Sequence, residues 1–235
     1  MIRQTDQRRG RPQEYSGPLT AAQIAAGMNA ASKNAARLAT DARLLLDAKR
    51  VPTAVALAAL SIEESGKVSL LREFAIIQDD ADLKQKWRRY RDHRSKNGKW
   101  ILLDLVRDGA RHLDALALTI ERESEHTALL NSLKQLGLYT DCYGSAHWSE
   151  PDQVFSGDQA ALDPYLVQLA ELLVPKRETT VREIDLWIEH VKPVWGTPEM
   201  RFAVVRFQAV LLAEGLSDTT PAEMAAFLMI FTKAV

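Results

Sequence analysis

The chain has 235 residues, of which 46% are hydrophobic and 26% are charged. These proportions are ordinary for a folded globular protein, and they exclude a chain that is disordered throughout. The formal net charge of −1 at pH 7 excludes a whole-molecule field that attracts nucleic acid, so any such contact has to come from a local basic patch.

The first 19 residues are polar and rich in arginine, and Gly10, Pro12, Gly17 and Pro18 interrupt them. This composition predicts a flexible basic N-terminal arm over residues 1–19. Two interpretations of the arm stay open. It is either a tail without a role or a basic segment that contacts the phosphates of RNA.

Four helices are predicted in the next part of the chain. Thr20 is a good N-cap, and apolar residues at three- and four-residue steps predict a helix from there to about Lys49. Pro52 suits the first turn of a second helix, which runs to about Gln78. A third, basic helix covers about 83–96, and a fourth covers about 100–136 and ends at Gly137. Because short connections make sequential helices neighbours, we expect an antiparallel bundle.

The composition changes after the fourth helix. Residues 138–163 are predicted to form an ordered loop, because five large apolar side chains there are expected to be buried: Leu138, Tyr139, Tyr143, Trp148 and Phe155. Helices follow at about 164–174, 179–192, 198–215 and 221–233, and we expect them to pack on the bundle. The sequence thus predicts an all-α fold, with the bundle over residues 20–155 and a C-terminal helical extension over 156–235.

The second helix carries two charged side chains in an otherwise apolar run. Glu64 and Lys67 share one face with Ala56 and Leu60. A carboxylate and an ammonium on such a face cost desolvation unless another interaction compensates. They are either an internal ion pair on a partly exposed edge or functional groups.

The third helix and the residues that follow it, Lys84 to Lys96, have the densest positive charge in the chain, with Trp87 and Tyr90 interleaved. Cations of this kind neutralise phosphates, and aromatic rings can stack on bases. The alternative is a solvated basic face whose two aromatic side chains pack in the core. Histidine changes charge near neutral pH, and the surrounding cations favour the neutral, proton-accepting form of His93.

Two arginine–histidine pairs have four intervening residues, namely Arg88 with His93 and Arg107 with His112. A pattern this short occurs easily by chance, and its two occurrences in one chain show that the spacing has low specificity. The spacing alone therefore does not decide which histidine is functional.

Other kinds of site have weaker support. Glu123 and His126 form a single Glu-x-x-His, whereas a di-iron bundle needs a second copy, so a surface charge cluster is the preferred interpretation. The lone Cys142 excludes an internal disulfide and a thiolate zinc site. No phosphate-binding glycine loop or nucleophile elbow is present. We therefore expect no cofactor and no metal.

The expected location is the cytoplasm. No apolar run is long enough to span a bilayer, and no apolar stretch follows the N-terminal arginines to make a signal peptide. A chain with one thiol also fits a reducing compartment.

Three stretches together resemble the AbiV family of abortive-infection proteins, a branch of the HEPN superfamily. The first is NAARLATDARLL over 34–45, followed by the apolar helix that ends in Glu63-Glu64-Ser65-Gly66-Lys67. The second is YRDHRSK over 90–96, which is similar to the family's basic H-x-x-K element. The third is LGLYTD over 136–141 with Trp148 and Pro151, which is similar to the family's GLYVD…W…P segment. The resemblance covers about residues 25–155, and the C-terminal part adds nothing to it.

The resemblance implies a HEPN-like antiparallel bundle, a homodimer and a phage-defence role through a metal-independent endoribonuclease that uses an Arg/His site. The implied catalytic residues are Glu64, Arg88, Arg91, His93 and Lys96. The implied substrate-binding residues are Lys67, Arg89, Arg94, Tyr139 and Asp141. Arg107 and His112 are an alternative catalytic pair, because they conform best to the HEPN ribonuclease signature but lie on a different helix from the H-x-x-K element.

The expected partners are an RNA substrate, a second copy of the chain, and a phage or antitoxin protein. In the expected mechanism His93 moves a proton, Arg88 or Arg91 with Lys96 holds the phosphate, Glu64 orients an arginine or the histidine, and Tyr139 contacts a base. The alternatives are a non-catalytic RNA- or protein-binding module, a purely structural helical protein and a metal-dependent bundle enzyme.

Overall fold

The computed structural model of the chain describes residues 13–91, 125–155 and 163–229. Its first helices are α1 (Ala21–Asp47), α2 (Val51–Glu73), a 3-10 turn (Phe74–Ile76) and α3 (Asp80–Arg91). Thr20 caps α1 in a reciprocal capping box with Gln23, which satisfies two backbone N–H groups at the start of the helix. The predicted arm lies outside the described residues except for 13–19, and the fourth predicted helix lies outside them up to residue 124.

Helix α3 begins earlier than predicted, within the run of aspartates that the sequence marked as a break between helices. The Asp79 carboxylate accepts the backbone N–H of Asp82 at 2.8 Å, as an N-cap does, so α3 starts at Asp80 rather than near Leu83. The second helix ends at Glu73 and tightens into the 3-10 turn instead of continuing to Gln78.

A short hairpin follows the next described helix, α4 (Glu125–Leu138). Strands β1 (Cys142–Tyr143) and β2 (His147–Trp148) pair antiparallel, and helix α5 (Pro151–Val154) comes after them. The hairpin is closed by Ser149, whose backbone N–H donates to the Asp141 carbonyl at 2.8 Å. The sequence did not predict these strands, because two residues are too few to show an alternation.

The prediction that this loop buries its large side chains was wrong for four of the five. Phe155 is buried, but Leu138, Tyr139, Tyr143 and Trp148 are exposed by 38% to 65%. A hairpin of two residues per strand has no second sheet to cover it, so its side chains stay on the surface.

Four helices complete the described chain: α6 (Asp163–Leu173), α7 (Val181–His190), α8 (Met200–Ala213) and α9 (Pro221–Met229), with a 3-10 turn (Lys192–Val194) after α7. Thr180 and Glu183 form a second capping box at the start of α7. The predicted all-α class is confirmed. None of the described helices is both long and apolar enough to cross a membrane.

The main core lies between α1, α2, α4 and α6. Its contact residues are small on α1 and α2, where Ala39, Ala42, Ala54 and Ala58 let the two helices approach closely, and larger on α4 and α6. A division of the chain at residue 155 stays a prediction. Helix α6, which lies beyond that position, supplies Val167 and Ala170 to this same core.

A second core fixes α3 and α7 to the other end of α1 and α2. It gathers Ile24 and Met28 of α1, Phe74 of the 3-10 turn, Trp87 of α3 and Ile184 of α7. A third cluster, with Leu186, Val191, Phe207 and Leu211, joins α7 to α8. The C-terminal helices therefore pack on the bundle, as expected.

Candidate functional site

The aromatic side chains of α3 pack inward, which the sequence left as one of two alternatives. Trp87 is buried. The centre of its ring lies 4.6 Å from the ring centre of Phe74 and 5.6 Å from that of Tyr90, and both contacts are edge to face. Its indole N–H donates to the Gly17 carbonyl at 3.0 Å. Trp87 is therefore an anchor that fixes α3 and residues 13–19 to the bundle, and it has no free face for a base.

Two cations of α3 are held by one carboxylate. The Glu73 side chain accepts from Lys86 at 2.8 Å and from Arg89 at 2.7 Å. Lys86 also lies 3.6 Å from Asp82. The side chains of Lys86 and Glu73 are mostly buried, so this cluster fixes the end of α2 against α3 more firmly than a surface ion pair would.

Arg91 is held by the segment before α1. Its Nε lies 2.9 Å from the Glu14 carboxylate, its guanidinium donates to the Tyr15 carbonyl, and it lies 4.9 Å from the centre of the Trp87 ring. A guanidinium with these contacts has few donors left for a phosphate. Arg91 therefore has fewer free donors than the sequence alone indicates.

Arg88 is the α3 arginine that stays open to solvent. Its side chain is exposed, and it forms no ion pair with any residue that the structure describes. Lys84, one turn earlier, is also exposed and unpaired within the described ranges. Because residues four apart lie on the same side of a helix, these two cations form an outward-facing strip on α3.

Glu64 and Lys67 form an ion pair within α2 and are both partly buried. Lys67 Nζ also lies 5.8 Å from the centre of the Tyr90 ring, which connects this pair to α3. Within the described ranges, the carboxylate of Glu64 is engaged by Lys67 and not by an arginine or histidine. The sequence left open whether Glu64 and Lys67 are an internal ion pair or functional groups, and an internal ion pair accounts for this geometry.

A buried ion pair that the sequence did not predict lies next to these residues. Lys134 of α4 donates to Glu63 at 2.8 Å, and both side chains are more than nine-tenths buried. One signal was available, because adjacent residues on a helix point about 100° apart, so Glu63 and Glu64 cannot share one environment. The partner was not predictable, since it lies 71 positions along the chain.

The remaining predicted residues divide into two groups. Tyr139 is exposed just after α4, and the Asp141 carboxylate accepts the backbone N–H of Cys142 at 2.7 Å, so it stabilises the hairpin. The other group lies outside the described residues: His93, Arg94, Lys96, Arg107 and His112. The identity of the proton-transferring histidine stays a prediction.

A comparison with protein families gives a match over residues 23–174 to the HEPN_AbiV model, described as AbiV. This range covers more than half of the chain and includes α1, α2, α3 and α6. The chain belongs to the AbiV family. No curated protein and no solved structure matches the sequence.

Membership explains which parts of this AbiV protein share the family's fold. The match extends past the residues that carry the resemblance and ends directly after α6, the last helix of the main core. Helices α7 to α9 lie beyond the matched range. In residues 13–91, 125–155 and 163–229, no group of three or more His, Cys, Asp or Glu side chains is placed to hold a metal ion.

Proposed function

We propose that this AbiV protein is a metal-independent endoribonuclease of the HEPN type that acts in abortive infection. The observation that carries the proposal is the position of Arg88, an exposed arginine without an acid partner among the described residues. It lies on a helix that buried Trp87 holds rigidly. A rigid helix with an open guanidinium is what phosphate recognition requires.

The proposed reaction uses the nucleophile that RNA already carries. His93 accepts the proton of a 2′-OH, whose oxygen attacks the adjacent phosphorus while the bond to the 5′-oxygen breaks. The leaving oxygen takes up a proton from an acid, and the products are a 2′,3′-cyclic phosphate and a 5′-hydroxyl. Arg88, with Lys96, stabilises the extra negative charge on the phosphate in the transition state.

The test is RNA cleavage by purified protein in the presence of EDTA. We expect cyclic phosphate ends from the wild type, and a loss of rate of at least about a hundredfold in His93→Ala. Arg88→Ala should slow cleavage and weaken RNA binding at unchanged stability, because its side chain is exposed.

Two controls make the result specific. His147→Ala changes an exposed histidine of the hairpin and should leave the rate unchanged. His112→Ala tests the alternative pair with Arg107. Full activity in His93→Ala together with loss in His112→Ala would transfer the catalytic role to His112, and cleavage abolished by EDTA would refute the metal-independent mechanism.

A non-catalytic module that binds RNA or a protein is the second candidate. The protein-binding form is favoured by the charge balance of α3, because Lys86, Arg89 and Arg91 are all neutralised by carboxylates and cannot pair with phosphates. Saturable, salt-sensitive RNA binding without cleavage would support RNA binding, whereas salt-insensitive binding of a protein partner would support the other form.

The same proposal includes a homodimer in the cytoplasm and a phage or antitoxin protein as regulator. A two-fold dimer would bring two copies of the strip formed by Lys84 and Arg88 into one assembly, which suits a folded RNA substrate. The molar mass of the purified protein in solution tests the dimer, and a mass of one chain across the working concentration range would contradict it.

A further inference from the structure

A cavity of about 790 Å³ lies where the AbiV domain meets the C-terminal helices. Its walls come from the ends of α2 and α6, the connection at 174–179, helices α7, α8 and α9, and residues 216–217 between the last two. A volume of this size is typical of sites for small organic ligands. Arg88 is not among the residues that line this cavity.

Arg72 is the unusual group in this cavity. Its guanidinium lies 5.7 Å from the centre of the Trp187 ring, and it forms no ion pair with a described residue. Burial lowers the pKa of Arg72, and the negative charge of Glu183 only partly opposes that effect. Arginine nevertheless stays protonated at neutral pH, so the cavity holds a partly buried cation that has no acid partner among the described residues.

The carboxylates that line the cavity are already engaged. Glu178 pairs with Lys33 at 2.8 Å, and Glu183 accepts the backbone N–H of Thr180 at 2.6 Å as part of the capping box. Lys176 and Arg177 at the rim are exposed and have no acid partner within the described ranges. With Glu178 paired to Lys33, three cations line the cavity against the one remaining carboxylate of Glu183, so the net charge of the lining is positive.

The opposite wall offers an acceptor and apolar contacts. Gln208 is buried, and its amide nitrogen donates to the Ser217 hydroxyl at 2.6 Å and to the Thr219 carbonyl at 2.9 Å. Those two bonds fix the amide, and its carbonyl oxygen accepts no hydrogen bond from the described residues. Phe207 and Leu211 of α8 supply the adjoining apolar surface.

We propose that this cavity is a binding site for a small phosphorylated ligand of nucleotide size. The phosphate lies on the Arg72 guanidinium with Lys176 and Arg177 at its outer side, the apolar part of the ligand rests on Phe207 and Leu211, and a donor of the ligand reaches the Gln208 carbonyl. Since α2, α7 and α8 all contribute, the ligand would fasten the C-terminal helices to the AbiV domain.

The experiment is an isothermal calorimetric titration of the full chain. The ligands are the four ribonucleoside 5′-monophosphates, the unphosphorylated nucleosides and inorganic phosphate. We expect saturable binding of a monophosphate, weaker binding of inorganic phosphate, and none of the nucleosides. Arg72→Met should weaken that binding at least tenfold. In the absence of ligand its thermal midpoint should stay equal or rise, because a desolvated charge is removed.

Two arginine variants separate this site from the proposed nuclease surface. Arg50→Ala removes an exposed arginine at the other end of α2 and should bind like the wild type. Arg88→Ala should also bind normally, and its failure to bind would place the nucleotide on α3 instead. Absence of saturable binding to every phosphorylated probe, or unchanged affinity in Arg72→Met, would overturn the proposal. A marked loss of stability in Arg72→Met would overturn it too, since it would make Arg72 a structural residue.

Discussion

Glu63 shows at the residue scale how one charged side chain can be held in an apolar helix. The helix around it is apolar, with Ala59 and Ile62 buried, and the carboxylate is compensated by Lys134 from α4. Removing two ions from water costs several kcal/mol each, so such a pair adds little net stability while it remains complete. The cost becomes visible when one member is lost.

Lys134→Met should destabilise the fold by about 3–5 kcal/mol, because it removes a buried ammonium group that donates to the Glu63 carboxylate. Urea unfolding followed by circular dichroism measures the change. The double variant Glu63→Leu with Lys134→Met should recover most of that loss, since an apolar pair of similar volume replaces the ions. A single variant as stable as the wild type would show that the pair is not a buried electrostatic unit.

At the scale of secondary-structure elements, Gly137 allows α4 to pass α2 at close range. A Cβ at this position would lie 2.5 Å from the Pro52 carbonyl oxygen and 3.2 Å from the Ala56 Cβ. The sequence suggested a glycine that ends the helix, but α4 continues to Leu138, and the residue is needed for approach rather than for termination. The small side chains of α2 serve the same purpose in the contact with α1.

Gly137→Ala should therefore destabilise the protein by about 1–3 kcal/mol, although alanine is the better helix former, because one of the two helices has to shift. Chemical unfolding gives the free energy. Gly27→Ala is the matched control in α1, where the nearest atom to an added Cβ is a flexible Leu71 methyl at 3.4 Å. A control that loses as much stability as Gly137→Ala would refute the packing explanation.

The helices themselves were predictable, because capping residues and a 3.6-residue apolar period are local signals. Thr20 and the stripe from Ile24 to Ala42 define α1 without any knowledge of its neighbours. The hairpin and the exposure of Trp148 were not predictable, since both depend on what the rest of the chain leaves uncovered. The sequence was enough to predict that positive charge gathers on α3. It was not enough to predict which of the cations are neutralised, because Glu73 and Glu14 are distant in sequence from their partners.

At the scale of the whole molecule, carboxylates fasten the C-terminal part of the chain to α1. Glu171 of α6 accepts from Arg43 at 2.7 Å, and Glu178 pairs with Lys33 at 2.8 Å. The hydrogen bond from Arg43 lowers the pKa of Glu171, and the hydrogen bond from Lys33 lowers the pKa of Glu178, both from an ordinary value of 4.5. Asn29 adds a neutral contact to the same connection through two hydrogen bonds to the Thr179 backbone.

Acid should consequently loosen the C-terminal helices before the bundle. A carboxyl whose folded-state pKa is depressed stabilises the fold fully above its unfolded pKa, and that contribution is lost as pH falls from about 4.5 through the folded value. The protection factors of residues 174–190 against hydrogen exchange, which correct for the pH dependence of the intrinsic exchange rate, should therefore fall over this window before those of α1 and α2. The double variant Glu171→Gln with Glu178→Gln removes both titrating groups, so its protection factors should be lower at pH 7 and nearly independent of pH. High salt should reduce the wild-type effect, because both pairs are accessible to solvent and the Lys33–Glu178 pair is largely exposed. A simultaneous fall of the protection factors in all helices would instead show that the C-terminal part and the bundle open as one unit.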